Sequence, residues 1–206
     1  MLARFTLEQM PRVCYAIAYI QMDGKPRSLE EESVVRLESL TAAEARDAID
    51  DLTLVLRDAV ASGVSLGFAM PLDESAVRRY WQDVMGQIEA GSRILLVARA
   101  EDGTLVGSAQ LNLATAPNSR HRAEVQKVCV LRSARGQGIG TRLMRAIEAA
   151  AQAAGRTLLV LDTRKGGMAE GLYRKLGYLE GGVIPGYART VDGTLVAAAF
   201  FYRTLA

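Results

Sequence analysis

The chain has 206 residues, enough for one α/β domain with a substantial core and too few for two. Its 25 Lys and Arg against 23 Asp and Glu give a net charge of +2, which indicates neither a nucleic acid nor an acidic partner. With two cysteines far apart and one histidine, the sequence excludes a disulfide framework, a zinc site and a Ser-His-Asp triad, and it favours a reducing, cytoplasmic compartment.

Residues 1–33 do not follow the pattern of the rest of the chain. Their apolar run, Val13 to Ile20, is too short to span a membrane, and it lacks the basic region and the small-residue cleavage site of a signal peptide. The sequence leaves open whether the segment is a helix with a linker or an over-extended start. We therefore divide the chain into an N-terminal extension of uncertain structure, 1–33, and one domain, 34–206, and expect no membrane partner.

The domain begins with a short predicted strand, Val34 to Leu37, and a helix. Thr41 and Glu44 form a capping-box pattern, and the apolar spacing predicts that this helix continues to about Ala61. Two glycines and a proline then predict a loop, Gly63 to Pro71. We expect this loop to carry exposed apolar side chains that either cover a binding pocket or cap the core: Leu66, Phe68 and Met70.

A second helix and a hairpin follow. The helix is predicted from Asp73 to about Ala90, where Gly91 ends it. Two apolar segments, Ile94 to Ala98 and Leu105 to Leu113, flank an Asp-Gly pair, which is a hairpin signal. These two segments are therefore expected to be antiparallel strands.

The most informative stretch runs from Glu124 to Ala154. Apolar and β-branched residues up to Leu131 predict a strand, and the apolar spacing after position 140 predicts a helix. Between them lies RGQGIG, whose glycines let the backbone approach a ligand closely and leave N–H groups free at a helix N-terminus. This arrangement is typical of a pyrophosphate site, to which Arg135 adds a positive charge.

Two other nucleotide-binding loops differ from this one in spacing. A Walker loop requires G-x-x-x-x-G-K-[ST], which is absent, and a dinucleotide site requires G-x-G-x-x-G directly after the strand. The glycines here follow G-x-G-x-G instead. A dinucleotide site stays as a competitor because Asp162 falls near the position of a ribose-binding acid. An ordinary tight turn is the remaining alternative.

The rest of the chain completes an α/β pattern. Thr157 to Leu161 is a predicted buried strand that ends at Asp162 and lies parallel to the central strand through a right-handed crossover. A short helix from Gly167 to Leu176 contains Tyr173. Two further strands and an intervening loop with ligand-accessible side chains end the chain: Tyr178 to Ile184, Leu195 to Tyr202, and the loop IPGYARTVDG with Tyr187 and Arg189.

A strand followed by RGQGIG and a helix resembles the acetyl-CoA-binding motif of the GNAT superfamily of N-acetyltransferases. Within it, the blocks RAEVQK, LRSARGQGIG, LLVLDTRKGGMAEGLYRKLGY and IPGYARTVDGTLVAAAFFYRTL resemble those of acetyltransferases that confer tabtoxin resistance. The resemblance covers roughly Val34 to the C-terminus. It implies an α/β GNAT fold for residues 34–206, with a mixed central sheet of about seven strands and about four helices.

The resemblance also implies acetyl-CoA as co-substrate and no metal ion. It places the donor site at the end of the central strand and on the glycine loop: Val128, Cys129, Val130, Arg135, Gly136, Gln137, Gly138, Ile139, Gly140 and Thr141. The implied acceptor is a primary amine of a small molecule, with an amino-acid-like toxin or antibiotic as one example, which attacks directly in a ternary complex. No nucleic acid partner is expected, and the protein is expected to be a monomer or a homodimer.

Acetyl transfer to an amine requires a base, and without a usable histidine a carboxylate must serve. Glu124 and Asp162 are both flanked by apolar strand sequence, where partial burial would raise their pKa values. In the tabtoxin-resistance enzymes the matching acids of AEVQK and LDT are implicated in acceptor activation. Tyr173 is the candidate acid for the leaving thiolate, since many superfamily members use a tyrosine of this helix and a phenol stays protonated at neutral pH.

Each of these residues also has a structural interpretation. Glu124 could form a rim salt bridge with Arg122 or Lys127, Asp162 could cap a helix or order a loop, and Tyr173 could pack in the core. The alternative function is a regulatory module that binds acyl-CoA without turnover. The presence of all three candidate residues favours the enzyme.

Overall fold

One mixed β-sheet of seven strands organises the protein, as expected for the predicted α/β fold. The computed structural model describes residues 35–63, 66–68, 71–190 and 192–205, so the N-terminal extension and Cys14 lie outside the described residues. The strand order is β1-β2-β3-β4-β5-β7-β6, and only β4 and β5 pair in parallel. The strands are β1 (Arg36–Leu40), β2 (Arg93–Arg99), β3 (Leu105–Leu113), β4 (Arg122–Val130), β5 (Leu158–Arg164), β6 (Leu179–Arg189) and β7 (Leu195–Thr204).

The described residues form five α-helices where about four were predicted. They are α1 (Ala42–Asp47), α2 (Ile49–Ala61), α3 (Glu74–Glu89), α4 (Ile139–Ala153) and α5 (Met168–Lys175). The difference arises at Ala48, whose backbone (φ −93°, ψ 13°) leaves the helical conformation and splits the first predicted helix in two. Asp50 and Asp51 then lie in the first turn of α2, where negative charge favours a new helix N-terminus. The predicted capping box of Thr41 and Glu44 is present at the start of α1.

The helices cover the sheet on both faces and create two cores. We call the side packed by α4 and α5 the α4 face, and the side packed by α1, α2 and α3 the α3 face. Large apolar side chains that anchor the α4 face are Leu111, Ile139, Leu143, Met144, Ile147, Leu159 and Phe201. Those that anchor the α3 face are Leu52, Val55, Val77, Trp81, Leu95 and Val97.

A β-bulge in β4 reverses the direction of its side chains. Gln126 pairs with Gln110 of β3 and Cys129 pairs with Ser108, so β4 holds one residue more than β3 over this interval. Lys127 lies inside the bulge with φ 50°, the one positive φ among the described non-glycine residues. Ahead of the bulge Val125 packs into the core of the α4 face, whereas Cys129 beyond it packs into the core of the α3 face.

Beyond the start of β4 the sheet opens between its two parallel strands. The last register pair between them is Glu124 with Val160. β5 continues to Arg164 in register with β7, while β4 stays paired with β3. The second half of β4 therefore has no strand on its β5 side among the described residues, and its backbone groups border an opening.

Two loop predictions need correction. The predicted loop after Ile184 is largely part of β6, which extends to Arg189 and is interrupted by a register shift between Ile184 and Ala188. Leu66 was expected to be exposed but is 8% exposed, and Phe68 packs against the core of the α3 face. Both side chains therefore cap that core. Among the described residues no helix combines the length and the apolar character needed to cross a membrane.

Candidate functional site

The predicted glycine loop lies between the end of β4 and the start of α4. Gly136 and Gly138 have φ values of 83° and 75°, and no protein atom lies within 4 Å of the point where either would carry a Cβ. Gly140 has a different role, because a Cβ there would lie 3.4 Å from Leu172 of α5. Two glycines therefore shape the turn, and the third lets α4 and α5 approach each other.

The backbone of this loop presents unused N–H donors. In the part of the chain that the structure describes, no protein acceptor is found for the N–H groups from Gly136 to Thr141, including those of Gln137 and Ile139. The first helical hydrogen bond is donated by Arg142 to the carbonyl of Gly138, at 3.1 Å. Such donors at the N-terminus of a helix of this length attract an anion. The geometry fits a pyrophosphate.

Arg135 lies at the loop but is partly engaged by the protein. Its Nε donates to the carbonyl of Val130 at 3.0 Å, and its Nη2 donates to Ser62 Oγ at 3.0 Å. Next to it, Arg132 donates through its backbone and its Nε to the carboxylate of Asp58, both at 2.8 Å. These contacts fix the loop to the C-terminal turn of α2. The sequence carried no signal for Ser62 or Asp58, because both contacts join segments far apart in the chain.

The predicted donor residues of β4 line the opening. Val128 and Val130 pack against the core of the α4 face, and Cys129 is buried on the α3 face. Burial raises the pKa of the Cys129 thiol to about 12, against the opposing charges of Lys127 and Arg135. Cys129 is therefore a protonated thiol, which does not act as a nucleophile.

The two predicted carboxylates share the α3 face at the opening. Glu124 is in register with Val160, and Asp162 follows Val160 on the same side of β5. Removal of water by neighbouring atoms raises the pKa of Asp162, and the charge of Glu124 raises it further, while Lys127 opposes both effects. The structure thus brings the two acids close enough to interact electrostatically.

The structural interpretations of the two acids find little support in the geometry. Among the described residues, no salt bridge within 4.0 Å joins Glu124 to Arg122 or Lys127. Asp162 does not cap the following helix, because the N-cap of α5 is Gly167 and that cap has no side-chain hydrogen bond.

Tyr173 approaches the opening from the α4 face. Its ring packs 6.0 Å from Tyr178 and 6.0 Å from Phe201, so part of the side chain belongs to the core. Its hydroxyl has no hydrogen-bond partner among the described residues. Burial raises the pKa of this phenol, and the charge of Asp162 raises it further. The acids and the phenol therefore lie on opposite faces, and Asp162 interacts electrostatically with Tyr173 through the opening.

A polar network beside the acids was missed in the sequence. Arg93 donates from Nε to Gln87 at 2.5 Å, and from Nη1 to Gln126 at 3.1 Å and to the buried Gln110. Gln110 Nε2 in turn donates to Tyr80 Oη at 2.7 Å. Burial raises the pKa of Tyr80 to about 12, so it stays a neutral phenol. These residues come from separate elements, and apolar periodicity carries no signal for their association.

Comparisons with known proteins agree with this architecture. The acetyltransferase (GNAT) family model matches residues 65–178, which include the glycine loop, both acids and Tyr173. An uncharacterized N-acetyltransferase from the hisH-hisA intergenic region of Azospirillum brasilense is 33% identical over 139 residues, covering 66% of this chain and 78% of that protein.

Two solved structures share the fold. A putative acetyltransferase of Acinetobacter baylyi superimposes with a TM-score of 0.72 at 20% identity, covering 84% of this chain and 93% of its own. A phosphinothricin acetyltransferase of Sinorhizobium meliloti in complex with acetyl-CoA gives 0.68 at 22% identity, covering 84% and 89%. The family match and the Azospirillum relative show that the chain belongs to the GNAT family and is an N-acetyltransferase.

Proposed function

We propose that this enzyme transfers the acetyl group of acetyl-CoA to a primary amine of a small molecule, by direct attack within a ternary complex. The observation that carries the proposal is the opening between β4 and β5 directly beyond Glu124 and Val160. Two carboxylates border it on the α3 face, and Tyr173 borders it on the α4 face. An acceptor and a donor can therefore meet in the opening from opposite sides of the sheet.

The donor side fits acetyl-CoA, which would supply a thioester as the activated acetyl group. The N–H groups of 136–141 would bind its pyrophosphate, with the charge of Arg135 assisting. The backbone from Val128 to Val130 would lie along the donor, and the N–H groups near Cys129 or Val130 would stabilise negative charge on the reacting carbonyl oxygen. The complex of the related phosphinothricin acetyltransferase with acetyl-CoA supports this assignment.

The acceptor side supplies the base. An alkylammonium has a pKa of about 10.4, so it must lose a proton before its nitrogen can attack. Glu124 and Asp162 would accept that proton directly or through a water molecule. The raised pKa of Asp162 makes it a stronger base than an ordinary aspartate when it is deprotonated.

Tyr173 would act on the leaving sulfur. As the new C–N bond forms and the C–S bond breaks, the thiolate needs a proton or a strong hydrogen bond. The raised pKa keeps the Tyr173 phenol protonated and also makes it a weaker acid than a free phenol. Tyr173 would therefore donate a hydrogen bond first and transfer its proton as negative charge builds up on the sulfur.

We further propose that the acceptor is an amino-acid-like toxin or antibiotic. The support is the resemblance of four sequence blocks to tabtoxin-resistance acetyltransferases and the shared fold of a phosphinothricin acetyltransferase. Residues 34–206 would be the catalytic domain, with 1–33 as an extension, acting in the cytoplasm as a monomer or a homodimer.

An assay of thiol release tests this function. Purified protein is incubated with acetyl-CoA and a panel of primary amines, and free CoA is measured with a thiol reagent. We expect release that depends on both the amine and the protein. Tight binding of acetyl-CoA by calorimetry with no amine-dependent release over a broad panel would instead identify a regulatory acyl-CoA-binding module.

A further inference from the structure

Lys127 stands out beside the acids because it combines an unusual backbone with a half-buried charge. It is the bulge residue of β4, and its φ of 50° is costly for any side chain with a Cβ. Glycine would avoid this cost. The lysine side chain therefore indicates a functional role at this position that glycine could not fill.

The ammonium group of Lys127 is only partly satisfied by the protein. Its Nζ donates to the carbonyl of Leu66 at 2.6 Å and lies 5.8 Å from the centre of the Tyr80 ring. An ammonium carries three N–H donors, so at least one has no oxygen acceptor in the described part of the chain. No carboxylate oxygen of a described residue lies within 4.0 Å of it. Burial lowers the pKa of Lys127.

The surrounding charges favour an anionic partner. Arg93 donates hydrogen bonds to three glutamines, and of the two acids its charge interacts with Glu124. Lys127 interacts electrostatically with both Glu124 and Asp162. An acceptor with its amine at the acids and an anionic group at Lys127 would satisfy both charges together.

We propose that Lys127 binds a carboxylate of the acceptor, so that the enzyme selects amines that also carry a carboxylate, as free amino acids do. This inference rests on the proposed function and names the recognition element of its acceptor side. Lys127 is then a specificity-determining residue. Its Nζ also donates to the carbonyl of Leu66, a residue between α2 and α3.

The test compares acceptors that differ only in the carboxylate. Free amino acids, such as L-methionine and L-lysine, are each paired with their carboxamide, and kcat and KM are measured by thiol release. Wild-type enzyme should show the lower KM for the free acids. Lys127→Met keeps the length of the side chain and removes the charge. It should raise KM for the acids by on the order of 10- to 100-fold relative to KM for the amides. Any effect on kcat through the pKa of Asp162 should be shared by acids and amides.

Two further variants separate recognition from local packing. Lys127→Arg retains the charge and should restore most of the preference for the acids. Leu66→Ala removes a buried side chain and keeps both the cation and the backbone carbonyl that Lys127 contacts, so it should affect acids and amides alike. Equal losses for acids and amides in Lys127→Met, or no preference in the wild type, would overturn the inference and leave the proposed function intact.

The remaining outcomes are also distinguishable. The enzyme could bind acetyl-CoA and acetylate only amines that lack a carboxylate. This outcome would refute carboxylate recognition by Lys127 and leave the proposed acetyltransferase function intact. Failure to bind acetyl-CoA at all would refute the proposed function, and the inference with it. Thermal unfolding of each variant, measured in parallel, separates a loss of fold from a loss of recognition.

Discussion

The two sides of the opening between β4 and β5 are built in different ways. The proposed donor side is a continuous stretch, 128–141, whose candidate ligand-binding groups are mostly backbone N–H groups at a turn shaped by glycines. The proposed acceptor side is assembled from side chains of separate strands and a bulge, among them Glu124, Lys127 and Asp162. We therefore expect that a side chain on the acceptor side can be exchanged without disturbing the donor side, whereas the donor side depends on the shape of the backbone.

The largest effect is expected where both sides meet, at Tyr173. Tyr173→Phe keeps the ring in the core and removes the hydroxyl, so kcat should fall by on the order of 10²- to 10⁴-fold while acetyl-CoA affinity is nearly unchanged. Steady-state kinetics and calorimetry measure the two quantities. Tyr178→Phe is the matched control, since its ring lies 6.0 Å away in the same cluster, and its kcat should change little. A defect equally large with an activated aryl thioester would show that Tyr173 only positions the donor.

A negative charge introduced into the glycine loop should weaken acetyl-CoA binding and leave the acceptor side unchanged. Gly138→Asp adds strain at a φ of 75° and places a carboxylate where the phosphate should bind. Like charges about 4 Å apart repel by about 4 kcal/mol near a protein surface, so acetyl-CoA affinity should fall by at least about 100-fold. Calorimetry measures this loss.

The control for Gly138→Asp lies at the other end of the same helix. Gly155 follows α4 with a φ of 70° and has no atom within 4 Å of a Cβ position, so Gly155→Asp imposes similar strain and the same charge. It should reduce stability and leave acetyl-CoA affinity unchanged. Equal affinities for wild type and Gly138→Asp would remove the loop from the donor site.

Single removal of either carboxylate should affect the acceptor side alone. Glu124→Gln and Asp162→Asn should each lower kcat by roughly 10- to 100-fold, with acetyl-CoA affinity retained, because the partner carboxylate still offers a base. Since the pKa of Asp162 is raised, wild-type turnover should fall as the pH drops below this raised pKa and Asp162 becomes protonated. The Asp162→Asn variant should lack this acidic limb of the pH profile. Asp102→Asn, in the β2–β3 hairpin, serves as the control. Wild-type pH profiles in both variants would exclude carboxylate catalysis.

The smallest effect concerns stability. Folding raises the pKa of Asp162 above its ordinary value of 3.8, so this group stabilises the fold only when protonated, and that stability is lost as the pH rises through the raised pKa. Asp162→Asn should therefore be more stable than wild type at pH 7, by less than about 1 kcal/mol because the side chain is exposed and screened. Chemical denaturation at pH 7 and at about pH 4 measures the gain, which should shrink at the lower pH. A loss of stability at pH 7 would contradict the electrostatic account.

The sequence predicted the parts of this protein that depend on local chemistry. The capping box at Thr41, the Asp-Gly hairpin and the glycine turn all act over a few residues, and each lies where it was predicted. The split at Ala48 was missed because the apolar spacing runs through it without a glycine or a proline. The burial of Leu66 was missed because it depends on a core contributed by other helices.

The acceptor side was the least predictable region. The positions of Glu124 and Asp162 follow from the parallel pairing of their strands. The bulge at Lys127 could not be predicted, because the sequence has neither a glycine nor a proline there. The Arg93 network likewise joins residues that are separated by up to 33 positions in the sequence. The proposed acceptor side therefore rests on long-range contacts that only a structure reveals.

The extra residue in β4 also determines where a one-residue deletion can be tolerated in the chain. Loops of this protein can gain or lose a residue with small cost, since their ends stay close together. Deleting one residue between Gln126 and Cys129 would instead remove the bulge and leave both flanking pairs, Gln126 with Gln110 and Cys129 with Ser108, in register. Cys129 would then stay in the core beside Trp81, and Val125 would stay in the other core. Deleting a residue of β4 outside this interval, with the bulge kept, would turn the side chains on one side of the deletion to the other face. The bulge is thus the position in the central strand where the loss of one residue disturbs the two cores least.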